Sequence, residues 1–315
     1  MKIAVTGGSG FIGREVVKNL LANGQHVRVL TRQTSLNLEE LPGAKLVHGD
    51  LCDDALDFTG FLKDCEAIIH CAGNLTNTSS MPALHVDATR RLIEAAEEFG
   101  VSRWVQMSSC GAYGRRLSGL VSPDDEELPI GVYEETKTEA DRIVRNAADR
   151  GIIRAVLLRP ANVVGKDMKN QSFFSLCRAI DSGQYFSIGS LIAMTNYVPV
   201  ENVAAAASRL IYHVSDTPEK YISAMPTPLK TVIGAIAEGV GVEEPAHNIP
   251  YCMAWVVGQT AGRFPGFPLT TGRVEALTGQ AIYDSSTLDQ IVGDPPVTDM
   301  VTYLRDLAAG WKARQ

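Results

Sequence analysis

A tyrosine and a lysine four positions apart are the residues of this sequence whose types and spacing point most directly to chemistry. They are Tyr133 and Lys137. Side chains at i and i+4 are neighbours on one face of a helix, and a cation beside a phenol favours the phenolate and lowers its pKa from about 10. The pair predicts an acid/base tyrosine that works near neutral pH. Taken alone, the same spacing also fits an ordinary pair on a helix surface.

Three glycines at intervals of three follow the first predicted strand, Lys2–Thr6. Glycines let the backbone turn tightly and approach a pyrophosphate, whose charge meets the amides at the start of the next helix. A simple strand-to-helix turn is the alternative, but the position between a strand and a strong helix pattern favours a dinucleotide site. The residues of this loop that we expect to bind the cofactor are Gly7, Gly10, Phe11, Ile12 and Gly13.

The end of the second predicted strand bears on the choice of cofactor. An acidic residue there would bind the ribose 2′-hydroxyl of NAD, yet the segment between Glu15 and Glu39 contains no acid and carries Arg32 at the strand end. A guanidinium can pair with a 2′-phosphate. The sequence therefore favours NADP over NAD. The alternatives are that the protein uses NAD, or that Arg32 is a solvent-exposed residue with no role in binding.

Polar and small residues follow three further predicted strands. Asp50 and Leu51 come after the third strand, and Ala72 and Gly73 come after the fourth. Because the carboxyl ends of parallel strands meet at one edge of a sheet, we expect these residues to contact the cofactor, with Asp50 accepting from the adenine amino group. Taken singly, each of them fits a loop residue or a helix cap equally well. A serine pair ending in Ser109 follows the fifth strand, where a hydroxyl can hold a substrate oxygen while Tyr133 exchanges its proton.

Short β-branched runs alternate with longer amphipathic segments through the first half of the chain. This pattern predicts an α/β fold with a Rossmann-type doubly wound parallel sheet. We expect a dinucleotide-binding domain over residues 1–160 and a smaller, mostly helical substrate-binding region over residues 161–315, some of whose elements return to the main sheet. The predicted strands are Lys2–Thr6, His26–Thr31, Lys45–His48, Ala67–His70, Arg103–Met107 and Arg154–Leu158, and the predicted helices are Phe11–Asn23, Asp54–Lys63, Met81–Phe99 and Tyr133–Asp149.

Composition excludes several classes of protein. The chain has 315 residues, a formal charge of −7, 45% hydrophobic and 21% charged residues, which is typical of a globular enzyme. The acidic balance disfavours a nucleic-acid partner, no apolar run is long enough to cross a bilayer, and no signal-peptide pattern begins the chain. The six cysteines show no metal-binding or redox spacing. We expect a cytoplasmic protein that takes a small-molecule substrate and holds no metal.

These motifs together resemble the extended short-chain dehydrogenase/reductase family, which contains NAD(P)-dependent nucleotide-sugar epimerases, dehydratases and ketoreductases. The resemblance implies that Ser109 and Tyr133 are catalytic, that Lys137 also binds the nicotinamide ribose, and that Pro160 borders the nicotinamide. It also implies that Asn162 contacts the substrate, although a turn residue is an equal alternative there. It also implies a homodimer formed through two of the predicted helices. The segments that carry the resemblance are Thr6–Gly13, Gly49–Leu51, Ser108–Gly114, Tyr133–Lys137, Leu158–Gly165 and Tyr197–Ala204.

Two departures from the family pattern narrow the expected activity. Sugar 4,6-dehydratases carry an Asp-Glu pair where this chain has Cys110-Gly111, which argues against dehydration. Many nucleotide-sugar members carry an arginine where this chain has Thr195, although Arg263 or Arg273 could supply the charge.

We therefore expect hydride transfer between NADP(H) and a secondary alcohol or ketone on a nucleotide-sugar. The alternatives are an NAD-dependent nucleotide-sugar 4-epimerase, a reductase of a bulky apolar ketone such as a flavonoid or steroid, and a dinucleotide-binding sensor without turnover. The segment Tyr251–Phe267, which includes Trp255 and Phe264, fits either a packed helix or an apolar lid over such a ketone.

Overall fold

The computed structural model describes residues 1–33, 41–168, 171–189, 192–260 and 271–315. Thr34 and Ser35, which follow Arg32, and the candidates Arg263, Phe264 and Phe267 lie outside these residues, as does the side chain of Arg273. The strands are β1 Lys2–Thr6, β2 His26–Thr31, β3 Lys45–His48, β4 Ala67–His70, β5 Arg103–Met107, β6 Ser118–Val121, β7 Arg154–Pro160, β8 Asn162–Val164, β9 Ser187–Ile188, β10 Met194–Pro199, β11 Glu219–Ser223, β12 Met225–Pro228, β13 Asn248–Ile249 and β14 Gln280–Tyr283.

Helices alternate with these strands along the chain. The helices are α1 Phe11–Ala22, α2 Thr59–Leu62, α3 Ala88–Glu98, α4 Val132–Asp149, α5 Ser172–Asp181, α6 Val200–Leu210, α7 Leu229–Val240, α8 Tyr251–Thr260, α9 Thr271–Thr278, α10 Ser286–Val292 and α11 Met300–Lys312. Glycines that follow α1, α3 and α4 adopt the left-handed conformation that glycine favours at helix ends, with φ of 71° at Gly24, 69° at Gly100 and 73° at Gly151.

Seven strands form one parallel sheet in the order β11-β7-β5-β4-β1-β2-β3. The strand order reverses between β1 and β4, which is the place where doubly wound sheets open a crevice for a ligand. The predicted α/β fold with a doubly wound Rossmann-type sheet is confirmed. The edge strand β11 comes from the second half of the chain and pairs with β7, with Tyr221 opposite Leu158.

Alternating residues of the strands bury the two faces of the sheet under two layers of helices. Ile3 and Val5 of β1 pack on one face with α1 and α6, and Ala4 packs on the other with α3 and α4. A third cluster, built around Phe173, packs α5, α7 and α11 together in the second half of the chain. The predicted division into domains at residue 160 stays a prediction.

Two of the predicted helices differ from the structure. The predicted Asp54–Lys63 shrinks to the short α2, because the carboxylates of Asp53 and Asp57 accept from the amides of Ala55 and Thr59 and so favour turns over a helix. The predicted Met81–Phe99 begins with the wider π-helical turns of Pro82–Asp87 before α3. Such wide turns are rare and occur often at functional sites.

Short sheets occupy the second half of the chain. β10 pairs with β8 in parallel and with β12 antiparallel, β6 pairs with β14, and β9 pairs with β13. In the part of the chain that the structure describes, no helix combines the length and the apolar character that crossing a membrane requires.

Replacing Gly13 by alanine tests how closely the first loop packs. The added Cβ would lie 2.2 Å from the carbonyl oxygen of Gly7, so the loop must shift. We expect G13A to lower the free energy of unfolding by roughly 1–3 kcal/mol and to weaken NADP⁺ binding, measured by urea denaturation and calorimetry. G60A is the matched control, because its Cβ makes only an ordinary 3.7 Å contact with Val47. Unchanged stability and binding in G13A would contradict the loop geometry.

Candidate active site

The glycine loop, residues 7–13, forms a tight turn between β1 and α1 that we call the glycine cradle. Gly7 has a φ of 65°, and its carbonyl accepts from the amide of Gly10 at 2.8 Å. A side chain at Gly7 would meet the backbone of Ala72 at 2.8 Å. The loop therefore lies directly against the end of β4, with the first amides of α1 beside it. This close approach of backbone to backbone is what a pyrophosphate site requires, so the loop fits a dinucleotide.

The other predicted residues of the cofactor site lie around this cradle. The Phe11 ring lies against Gly165, and Ile12 packs on the core beneath α1. Leu51 and Ala72 are buried in the core, and Gly73 is exposed beside the ring of His85.

Arg32 and Asp50 lie next to each other at the ends of β2 and β3. The Arg32 Nη1 atom is 3.6 Å from Asp50 Oδ2, and 71% of the Arg32 side chain is exposed. Asp50 also accepts from the amide of Cys52 at 2.9 Å, which fixes its carboxylate. The structure thus places an exposed guanidinium, oriented by a carboxylate, at the strand end where the sequence predicts recognition of the adenosine ribose.

Tyr133 and Ser109 meet beside the carboxyl end of β5. Tyr133 lies in the first turn of α4, and the Ser109 side chain lies near enough to its hydroxyl to lower the pKa of Tyr133. Ser109 also accepts from the amide of Gly111 at 3.0 Å, which fixes its rotamer. The two hydroxyl groups predicted to handle the substrate oxygen are therefore adjacent.

Lys137 is buried one helical turn after Tyr133. Its ammonium donates to the carbonyl of Met107, the last residue of β5, and only 5% of the residue is exposed. Burial lowers the pKa of Lys137, and the carboxylate of Asp141 acts in the opposite direction. The structure therefore brings Lys137, Ser109 and Tyr133 together at one edge of the sheet.

The predicted effect of Lys137 on the Tyr133 phenol is wrong. Burial raises the pKa of Tyr133 to about 12, and the nearby Ser109 side chain lowers it only in part. The lysine is turned towards the Met107 carbonyl instead. Desolvation of the phenolate outweighs the attraction of a nearby cation, so the phenol is protonated at neutral pH.

A buried ionic network behind Lys137 is not evident from the sequence. Asp141 Oδ2 accepts from Ser108 Oγ at 2.6 Å and from Arg159 Nη2 at 2.9 Å. The same Arg159 nitrogen donates to Glu127 at 2.6 Å, and its guanidinium lies 4.9 Å from the centre of the Tyr113 ring. The residues come from four separate segments, so only a three-dimensional structure reveals the network.

Two buried histidines near the site were not predicted from the sequence. His70 ends β4, and His85 lies in the wide turns before α3. Burial and the nearby Lys137 ammonium lower the pKa of each to about 3, so both rings are neutral. Their only signal in the sequence is that apolar and small residues surround them.

The remaining predicted residues lie near the site in different settings. Pro160 is buried at the end of β7. Asn162 is exposed and begins β8, so it belongs to a strand rather than to a turn. The Thr195 hydroxyl donates to the carbonyl of Thr227 at 2.9 Å, which directs it into the sheet.

A side chain at Gly111 would start 2.7 Å from the Glu134 side chain, so a carboxylate from α4 fills the space above this glycine.

The aromatic segment after residue 250 is only partly packed over its described part, because Ala254 is buried in a small cluster with Ile188 and Val274 and Trp255 packs against that cluster. Tyr251 stacks on Trp255 with ring centres 6.2 Å apart, and Tyr251 is exposed. Within α8 only Ala254 and Gly258 are buried. The helix therefore presents apolar side chains outwards, as a lid would.

A family model described as the NAD dependent epimerase/dehydratase family matches residues 3–223, from β1 to the end of β11. The chain belongs to this family. It is an extended short-chain dehydrogenase/reductase, as the motifs predict, and the enzymes of this kind are NAD(P)-dependent oxidoreductases and epimerases.

Relatives within this family differ in what their names say they act on. Mouse sterol-4-alpha-carboxylate 3-dehydrogenase, decarboxylating, is 27% identical over 270 residues, or 81% of this chain and 73% of that protein. The dTDP-6-deoxy-L-talose 4-dehydrogenase (NAD(P)(+)) of Kitasatospora kifunensis is 30% identical over 219 residues, or 65% of this chain and 68% of that protein.

A solved structure supports the fold. The UDP-glucuronic acid 4-epimerase of Bacillus cereus in complex with NAD superposes with a TM-score of 0.76 over 100% of this chain and 99% of that chain. The two sequences are 16% identical. The likeness shows that the helices and strands share one arrangement.

Removing Arg159 tests the buried network. R159L leaves the Asp141 carboxylate buried without its cation, so we expect the free energy of unfolding to fall by about 3–5 kcal/mol. R145L is the matched control, because Arg145 binds the same Glu127 from a position where 29% of its side chain is exposed, and we expect a loss of no more than about 1 kcal/mol. Urea denaturation measures both. Equal losses in the two variants would contradict a special role for the buried pair.

Proposed function

We propose that this protein is an NADP(H)-dependent oxidoreductase that interconverts a secondary alcohol and a ketone on a nucleotide-sugar. The observation that carries the proposal is the meeting of Ser109, Tyr133 and the buried Lys137 at the sheet edge that also bears the glycine cradle. An acid/base pair next to a dinucleotide cradle is the arrangement that reversible carbonyl reduction requires.

Each residue of the site has a distinct task in this proposal. Ser109 binds the substrate oxygen, and Tyr133 donates a proton to it during reduction or removes one during oxidation. The raised pKa keeps the phenol protonated at neutral pH, which suits the reductive direction. Lys137 and Pro160 face the nicotinamide side of the cofactor. Bound NADPH supplies the hydride.

Asn162 contacts the substrate in this proposal, since it is exposed at the start of β8. We place substrate recognition mainly in residues 161–315, where β8 and α8 lie. The pyrophosphate of a nucleotide-sugar would need a cation other than Thr195, whose hydroxyl is already bonded to Thr227.

The exposed Arg32 supports NADP over NAD as the cofactor. Its guanidinium lies at the end of β2, where Asp50, 3.6 Å away, orients it. The sequence carries no acidic residue between Glu15 and Glu39. A guanidinium matches a 2′-phosphate in charge and geometry.

Replacing Arg32 tests the cofactor. We expect R32A to raise the Kd of NADP⁺ by about tenfold or more, because a charge-assisted bond contributes ~1.5–3 kcal/mol. The Kd of NAD⁺ should stay within about threefold. R28A is the control, since Arg28 lies in the same strand and donates to backbone carbonyls near α2. Calorimetric titration gives both constants, and equal weakening of NAD⁺ and NADP⁺ in R32A would contradict the proposal.

A bulky apolar ketone is the second candidate substrate. The outward apolar face of α8, with Tyr251, Met253 and Val256 exposed, favours it, and one relative is named as a sterol dehydrogenase. An NADPH oxidation assay with a UDP-linked 4-keto-6-deoxyhexose and, in parallel, a 3-ketosteroid separates the two substrate classes. Conversion of UDP-galactose without net NADPH consumption would instead indicate an epimerase.

Removing the phenolic oxygen of Tyr133 by substitution with phenylalanine tests its role as the proton donor. In the same assay we expect Y133F to lose at least about 100-fold in kcat, since general acid catalysis contributes ~10²–10⁴-fold, while its Kd for NADPH stays within about threefold. Y212F, a change at an exposed tyrosine, is the control. Full turnover by Y133F would defeat the assignment of the proton donor.

We also propose a cytoplasmic homodimer. Support for the location is that all six cysteines are free thiols, as a reducing compartment would keep them. Support for the dimer is that α3 and α4 pack side by side on one face of the sheet, which offers the pair of helices through which the resemblance predicts association.

A further inference from the structure

The first turn of α4 carries Tyr133 but has no side-chain cap of its own. The residue before this helix is Gly131, which offers no side-chain acceptor to the first amides. Helix ends without such caps fray readily. Something outside the helix must therefore hold the turn in which the proposed proton donor lies.

His85 makes that contact through both nitrogens of its ring. The amide of Asn74 donates to Nε2 at 3.0 Å, so Nε2 is the acceptor and Nδ1 carries the proton. Nδ1 then donates to Thr136 Oγ1 at 2.8 Å, and Thr136 Oγ1 donates to the carbonyl of Val132 at 2.7 Å. Thr136 Oγ1 also lies 3.1 Å from the carbonyl of Tyr133 itself, so the path ends on two carbonyls in the first turn of α4.

The same imidazole also touches the Tyr133 ring. The two ring centres are 5.7 Å apart, and the planes are nearly perpendicular at 83°. Perpendicular aromatic pairs at this distance attract each other through the quadrupole of the rings. His85 is itself 1% exposed and is held from its carbonyl side by Thr89 at 2.6 Å, so it is a rigid support.

We propose that His85 is a positioning residue that fixes the Tyr133 phenol, by ring contact and by pinning the first turn of α4 through Thr136. The inference rests on the proposed acid/base role of Tyr133. Its neutral ring, kept uncharged by burial and by Lys137, presents one tautomer and so one hydrogen-bond direction.

Two substitutions separate the two contacts. H85F keeps an aromatic ring against Tyr133 and removes both nitrogen bonds, whereas H85N keeps a polar group near Thr136 and removes the ring. We expect each to lower kcat about tenfold with the UDP-linked 4-keto-6-deoxyhexose, since small displacements of a reacting group cost up to ~100-fold. The KM and the Kd for NADPH should change by less than about threefold.

The matched control is S208A, which removes a buried hydroxyl from α6, on the other face of the sheet from α3. Ser208 Oγ donates to the carbonyl of Ala204 at 2.9 Å, so the change removes one buried hydrogen bond without touching His85 or its partners. We expect S208A to keep kcat within about twofold whatever its effect on Tm. Equal loss of kcat in S208A, or wild-type kcat in both His85 variants, would overturn the proposal.

Nuclear magnetic resonance tests the proposal without any substrate. In protein labelled with ¹⁵N-histidine, His85 should show the Nδ1–H tautomer at pH 7, and a charged or Nε2–H ring would overturn the hydrogen-bond path. In protein labelled with ¹³C-tyrosine, the Tyr133 signal, assigned by its loss in Y133F, should show faster ring flips in H85N than in S208A. Equal flip rates would contradict the ring contact even if no sugar is turned over.

Discussion

The burial of one ammonium group at the end of β5 organises the site. Lys137 donates to the Met107 carbonyl and lies close enough to Asp141 for that carboxylate to favour its charged form. A buried cation is tolerated only when paired, and the Asp141 carboxylate near Lys137 is itself buried and needs its own partners. Ser108 and Arg159 supply them. Burial lowers the pKa of His70 and His85, and the charge on Lys137 adds to this effect, so both rings are neutral.

This arrangement couples the helix that carries Tyr133 to the sheet that carries the cofactor cradle. Thr6, the residue before the glycine loop, accepts from the amide of Ala72 and bonds His70 at 2.6 Å. His70 in turn bonds Thr89, whose hydroxyl donates to the carbonyl of His85. A chain of hydrogen bonds thus runs from β1 to the support of Tyr133. The glycine cradle and the helical turn that carries Tyr133 are therefore joined by one set of hydrogen bonds, as a precise catalytic geometry requires.

The strands of the main sheet were predicted correctly because the sequence patterns that indicate strands are local. Each of the six predicted strands of the main sheet is present, since β-branched runs between turn residues need no distant partner to be recognised. The helix predicted over Asp54–Lys63 was wrong because aspartate side chains bind nearby amides. The predicted lowering of the Tyr133 pKa was wrong because the spacing of Tyr133 and Lys137 does not show how deeply the phenol is buried. Arg159 and His85 were missed because their partners lie far away in the chain.

The central claim is that Tyr133 and Ser109 present a carbonyl carbon to a dinucleotide held in the glycine cradle. The most direct measurement is mass spectrometry of the product formed from a UDP-linked 4-keto-6-deoxyhexose and NADPH that carries deuterium at both C4 positions of its nicotinamide. We predict one deuterium on the carbon that becomes the alcohol. A product alcohol in which that carbon carries hydrogen from water, or no alcohol from either the sugar or a 3-ketosteroid, would contradict the account.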